Sequence, residues 1–516
     1  WRMAQLHAQE APARVWELEE WGALFDRTKE GKISQRDFGG HRYARLAHVG
    51  DRTGLEMIRT LQQRAVDLGI DVFMECTVTR LLKDGGRIAG AFGYWRETGS
   101  LITFRAPAVI LATGGIGKSF TVTSNSWEYT GDGLAMALWA GASLLNMEFV
   151  QFHPTGMVWP PSVRGLLITE SVRGEGGVLR NSEGKRFMFD YIPEFFKAET
   201  ADNETEADAW YDDHKNNRRP PELLPRDEVA RAINSEIKAG RGSPHGGVFL
   251  DIASRRSAAD IRRRLPSMYH QFKELGDVDI TAEPMEVAPT CHYVMGGIEV
   301  DPDTQAATVA GLYAVGEVSG GMHGSNRLGG NSLSDLLVFG RRAGASAADY
   351  AATMPVRPSV NDADVWAATE EALSAFDNPG NENPYAVMHD LQEHMQALVG
   401  IIRKGDELEL ALKEIERLKD RAKNVSVKGT GRRYNPGWHT TLDLRAMLTV
   451  SECIARAALM RKESRGGHTR DDYPGTDPEW GKVNLVVTER RGVLELNSKP
   501  LPQMPDELKA LFEETH

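Results

Sequence analysis

A chain of 516 residues is too long for one hydrophobic core and predicts about two to four domains. Its 41% hydrophobic and 26% charged residues are a globular composition, no apolar run reaches the ~18 residues of a bilayer span, and a formal net charge of −12 argues against nucleic-acid binding over the whole surface. Cys76, Cys291 and Cys453 are far apart and lack CxxC spacing, which argues against a disulfide framework and an intrinsic metal or iron–sulfur site and favours a reducing compartment.

Residues 1–21 read as a helix, so the chain is read as starting partway through a domain, and no G-x-G-x-x-G follows a strand anywhere. Residues 21–54 are punctuated by Gly and charge as a loop-rich hairpin would be, with Phe38 as a candidate packed aromatic. A helix is predicted over 53–68, then strands over 71–82 and 88–94 joined at Asp84-Gly85-Gly86. An apolar strand ends in Ala112-Thr113-Gly114-Gly115, and 112–119 loosely matches a phosphate loop, with 248–251 as its Mg²⁺ strand. Such a loop must open a helix at Lys118-Ser119, yet the next residues are β-branched and polar, which disfavours a nucleotide hydrolase. Asp132 precedes a helix over 134–142 and is read as its N-cap or as a ligand contact.

The composition changes at Phe149, and Pro160-Pro161 marks a connector. Residues 167–177 mix polar residues and Gly in a way a core strand would not. Residues 197–225 are acidic and poor in apolar residues, so they read as an exposed insertion without chemistry. In the helix that follows, Asp227 and Glu228 favour the first turn, whereas Arg226 at its edge opposes the dipole, a placement compatible with function. Alone, His292 would be read as a structural hydrogen-bonder. A short strand over 310–315 runs into a Gly-rich turn over 316–335, with Asn331-Ser332 at the cap position of a helix over 333–350. Free N–H groups at such a start suit an electron-rich ligand, the Glu317 carboxylate suits ribose hydroxyls, and the Arg327 guanidinium can grip a carboxylate with two bonds. Helices are predicted over 365–376, 385–403, 407–423 and 442–461, and 464–474 has no assigned role.

The motif AVGE at 314–317 with HGSNRLGGNSL at 323–333 resembles the C-terminal flavin-binding signature of the succinate dehydrogenase and fumarate reductase flavoprotein subunit family, to which L-aspartate oxidase is closely related. The resemblance extends over about residues 21–473 and includes ATGG at 112–115 and TCHYVMGG at 290–297. It implies an α/β multidomain fold: a Rossmann-like FAD-binding domain over 1–150 and 290–352, an inserted capping domain over 151–289, a helical domain over 353–470 and a tail over 471–516. It implies FAD contacts at Ala112, Thr113, Gly114, Asp132, Glu317, Arg327, Asn331, Ser332 and Leu333. Covalent attachment would run through a His in a leading segment not found here. Phe38, His153, Thr169, His292 and Arg327 would bind succinate or fumarate, and Arg226 would exchange a proton relayed by Glu170 and Arg173. Aspartate oxidases carry Glu where Phe38 stands, which leaves that activity as the alternative. Implied partners are a membrane anchor with quinone and an iron–sulfur subunit, which would hold the chain at the cytoplasmic side of the plasma membrane.

Overall fold

The computed structural model describes residues 1–36, 41, 43–354, 356–429 and 431–513. Phe38 lies outside the described residues. Helical spacing of apolar residues winds the first stretch into α1 (Arg2–Glu20), followed by the short pair β1 (Gln35–Arg36) and β2 (Leu46–Ala47) and by α2 (Thr53–Asp67). An antiparallel sheet of β3 (Cys76–Asp84), β4 (Arg87–Trp95) and β5 (Leu101–Arg105) comes next. β3 starts five residues later than its apolar run predicts, because Glu75 sits at φ 55° and breaks the extended chain.

β6 (Val109–Leu111), α3 (Asp132–Ala140), β7 (Leu144–Leu145) and β8 (Val150–Met157) follow. Lys118-Ser119 forms one 3₁₀ turn and then extended chain, without the helix a phosphate loop needs. The strand considered for Mg²⁺ belongs to a different sheet. That sheet has the order β8, β11, β10, β9, with β9 (Val178–Arg180), β10 (Val248–Asp251) and β11 (Met285–Val294). Around it lie α4 (Ser171–Gly174), α5 (Glu204–Ala209), α6 (Arg226–Lys238), α7 (Ala258–Arg264) and α8 (Pro266–Gly276). Their apolar faces close a core between Met157 and Val287 that includes Phe187, Ile233, Leu250 and Phe272.

β12 (Gly297–Ile298) leads to β13 (Leu312–Ala314), which returns to pair in parallel with β6, and the Gly-rich turn delivers α9 (Asn331–Ala352). The helices α10 (Asp362–Asp377), α11 (Pro384–Leu398), α12 (Gly405–Ala422) and α13 (Pro436–Met460) complete the expected helical region. Leu391, Ile415 and Met447 of these helices share one core with Leu134, Ile298 and Leu312. Residues 471–516, expected as a tail, instead carry the hairpin β14 (Val483–Arg490) and β15 (Val493–Pro500), then α14 (Asp506–Glu513). β14 pairs with β7 in a sheet of order β12, β7, β14, β15. Among the described residues no helix is long and apolar enough to cross a membrane.

Candidate functional site

β8 and β11 pair antiparallel, and the ladder slips between Cys291 and Tyr293. Such an irregularity re-aims a side chain, and here it falls on His292, bringing its ring within 5.3 Å of the His153 ring. Both line a cavity of about 650 Å³ together with Thr169, Glu170, Arg226 and Arg327 and with Asn331, Ser332 and Leu333 from the first turn of α9. Residues expected to bind one small anion are thus drawn from segments that lie far apart in sequence.

The imidazoles are held neutral. Burial and then the nearby Arg226 keep His153 well below the ordinary histidine range, while burial and then Arg327 do so for His292. His153 Nδ1 lies 3.2 Å from both the amide nitrogen and the carbonyl oxygen of Thr155, so the Thr155 backbone holds the ring on that side. His292 Nδ1 is 2.7 Å from the Ser124 hydroxyl. The ring orientations are therefore fixed from behind.

Arg327 is 4% exposed and donates from Nη1 to the Ser332 hydroxyl at 2.7 Å, with its guanidinium 4.3 Å from the centre of the Tyr293 ring. Its Nε and Nη2 have no hydrogen-bond partner among the described residues, and burial followed by repulsion from Arg226 lowers it to about 10. A buried, unmatched donor pair costs on the order of 1–3 kcal/mol, which an anionic ligand would recover. Gln151, two residues before His153 on the same face of β8, steadies the loop by donating to the Arg327 carbonyl at 2.7 Å.

Opposite, Arg226 opens α6 and donates from Nε to Glu170 at 2.9 Å, while its Nη1 has no hydrogen-bond partner among the described residues. Glu170 also lies 3.9 Å from Arg173 Nη2, so a cation, a carboxylate and a second cation form one buried file. Arg173 sits behind Glu170, away from the cavity lining. The Thr169 hydroxyl is likewise buried without a hydrogen-bond partner among the described residues.

Ala112, Thr113, Gly114, Asp132 and Glu317 lie outside that cavity, at the junction of β6, α3 and the turn after β13. Side chains press directly on glycine backbone there. A Cβ at Gly133 would meet Thr113 Oγ1 at 1.9 Å, and one at Gly115 would meet Glu317 Oε1 at 2.3 Å. Burial raises Asp132 to about 6 and Glu317 to about 7, and neither has an ion-pair partner among the described residues. Acceptors of this kind suit ribose hydroxyls, and the buried Thr113 hydroxyl, without a partner among the described residues, adds a donor, so the residues present fit the expected FAD.

Two cap assignments need correction. Gly330 at φ 81° caps α9, and Gly131 at φ 76° caps α3, so Asn331 and Asp132 are the first helical residues. Both residues are in the left-handed conformation, which glycine adopts without strain. The segment 197–225 also departs from expectation. Its middle is exposed, but Trp210, Glu222, Leu223 and Leu224 are buried. Sequence reasoning missed Gln151, Tyr293 and Glu222. The first two adjoin the predicted histidines, and period-two spacing could have found Gln151.

A model of the FAD binding domain matches residues 2–333, and one of the fumarate reductase flavoprotein C-terminus matches 388–509. A fumarate reductase (CoM/CoB) subunit of Methanothermobacter marburgensis is 43% identical over 94% of this chain and 83% of its own length. The succinate dehydrogenase flavoprotein subunit of Coxiella burnetii is 36% identical over 92% and 79%. Among solved structures, Mycobacterium smegmatis Sdh1 in complex with UQ1 superposes with a TM-score of 0.84 at 61% identity, covering 99% of this chain and 84% of that one. A mutated FrdA of the E. coli quinol fumarate reductase gives 0.88 at 33% identity, covering 97% and 84%.

Proposed function

This chain belongs to the flavoprotein family of succinate dehydrogenases and fumarate reductases, and from that premise we propose that it oxidises succinate to fumarate and runs the reverse reaction at the same site. It is an FAD-dependent oxidoreductase. The observation that carries the proposal is the set of unpaired N–H and O–H groups of Arg226, Arg327 and Thr169, which share one cavity with two neutral imidazoles.

A four-carbon diacid carries a charge at each end and needs a donor cluster for each. Arg327 takes one carboxylate with its free Nε and Nη2, and His153, His292 and Thr169 take the other. FAD, when bound, supplies the two-electron chemistry. The chain's residues orient the diacid, exclude water and handle the proton. Arg226 Nη1 exchanges that proton with the substrate carbon beside the one that loses hydride, donating it in the reductive direction. Glu170 and Arg173 continue the route away from the cavity. For the cofactor, residues 112–114, Asp132, Glu317 and the first turn of α9 give FAD its backbone and carboxylate contacts.

The oxidative direction is supported by likeness to M. smegmatis Sdh1, and fumarate reduction by likeness to the M. marburgensis protein. A membrane anchor together with an iron–sulfur subunit passes electrons to quinone and keeps this chain peripheral to the membrane. The relatives named as subunits and the UQ1 bound in the M. smegmatis structure support this arrangement. The test is succinate-dependent dye reduction by the purified holoenzyme, with fumarate-dependent oxidation of a reduced dye as the reverse assay and L-aspartate as a rival substrate. Turnover of L-aspartate with neither diacid active would replace the proposal.

A further inference from the structure

Segment 208–224 reads in sequence as an acidic spacer, yet it builds the back wall of Arg173. That guanidinium is fully buried. Its Nη1 donates to the Glu222 carbonyl at 2.6 Å, its Nη2 faces Glu170, and its own carbonyl accepts the Tyr211 hydroxyl at 2.8 Å. Glu222 presents that carbonyl from a 3₁₀ turn, Pro221–Leu223, which follows Pro220. Its carboxylate is gripped at both oxygens by Arg186, at 2.6 and 2.8 Å, and both side chains of this pair are no more than 1% exposed. Arg186 also bonds Asp208 at 2.9 Å, and Arg255 pairs with the same carboxylate. Arg226 follows Glu222 by four residues. The clamp thus holds Arg173, on one side of Glu170, from behind.

We propose that Tyr211 and Glu222 are positioning residues for proton transfer, holding Arg173 in line with Glu170 and Arg226. The inference rests on the proposed role of that file. A file of this kind works only while its members stay close, and the contact between Arg173 and Glu170, an ion pair at 3.9 Å without a hydrogen bond, is its longest and most easily lost step. Among the described residues neither Nε nor Nη2 of Arg173 has a hydrogen-bond partner, so the Glu222 carbonyl is what holds the guanidinium there. Burial holds the Tyr211 phenol above its ordinary value, so it remains a donor under assay conditions.

Removing Glu222 would strand a buried arginine, so Tyr211→Phe is the better test. It keeps the ring against Trp210 and beneath Arg256 and deletes only the hydroxyl. Tyr191→Phe is the control, because it deletes a hydroxyl bonded to Glu236 at 2.6 Å, which is not a member of the file. In the FAD-loaded complex, Tyr211→Phe is expected to lower kcat for succinate about three- to tenfold, with KM within about twofold, and Tyr191→Phe to change neither. An active wild type matched by Tyr211→Phe overturns this inference alone, as does a Tyr211→Phe enzyme whose KM rises in step with the fall in kcat. A wild type inactive on both succinate and fumarate overturns the function and the inference together.

Discussion

The two walls of the cavity differ in what their cations touch. On the wall made by β11 and the start of α9, Arg327 meets only a hydroxyl and an aromatic face among the described residues. On the wall made by α4 and α6, Arg226 and Arg173 stand on either side of the Glu170 carboxylate. A cation with no carboxylate in contact keeps its attraction for an incoming anion, whereas cations alternating with a carboxylate lose part of that pull and gain a route for protons. Similar residue types thus suit one wall to holding substrate and the other to moving charge.

The sharpest way to break this division is Arg226→Lys, which changes the geometry of the proton-bearing group while preserving its charge. Turnover is expected to fall by about two to four orders of magnitude with diacid affinity within about threefold, as measured by steady-state kinetics and ligand titration. A large loss of affinity would place Arg226 on the holding wall instead. Arg327→Gln should do the opposite, raising KM by about ten- to a hundredfold with a smaller effect on kcat. If the second wall acts as one unit, adding Glu170→Gln to Arg226→Lys should slow the enzyme no further, whereas independent roles would multiply. The smallest effect concerns pH. The folded state holds His292 below its ordinary 6.5, so its contribution to stability is intact above that pH and is lost as pH falls from 6.5 towards the lower folded value. His292→Asn should therefore flatten the decline of Tm on acidification below pH 6.5, and equal slopes in the two proteins would show that the ring is not held neutral.

What could be read from sequence follows the same division. The holding wall is built from short runs whose neighbours in sequence are neighbours in space, so Arg327, Ser332 and the strand, turn and helix around them were visible in the Gly-rich motif. His153 and His292 could be named, but the slipped ladder that turns them toward each other is a property of strand pairing. On the second wall, composition misled. Acidic, proline-containing residues before Arg226 have the profile of a solvated loop, and only the fold shows Glu222 neutralised by Arg186 across 36 residues. The cap positions failed for a local reason: Asn and Asp are common caps, but here the chain enters α3 and α9 at positive φ, where glycine prevails.

The pairing of β7 with β14 has a consequence for biogenesis. Asn146 beside β7 bonds Asn484 across 338 positions of sequence. A nascent chain emerging from the ribosome cannot complete this sheet until β14 and β15 have been synthesised, and a closure of such long range is slow to find. During that interval, the β7 edge and the apolar residues destined to lie beneath β14 stay uncovered, so translation arrest before residue 483 should yield a polypeptide that depends on chaperones to avoid aggregation.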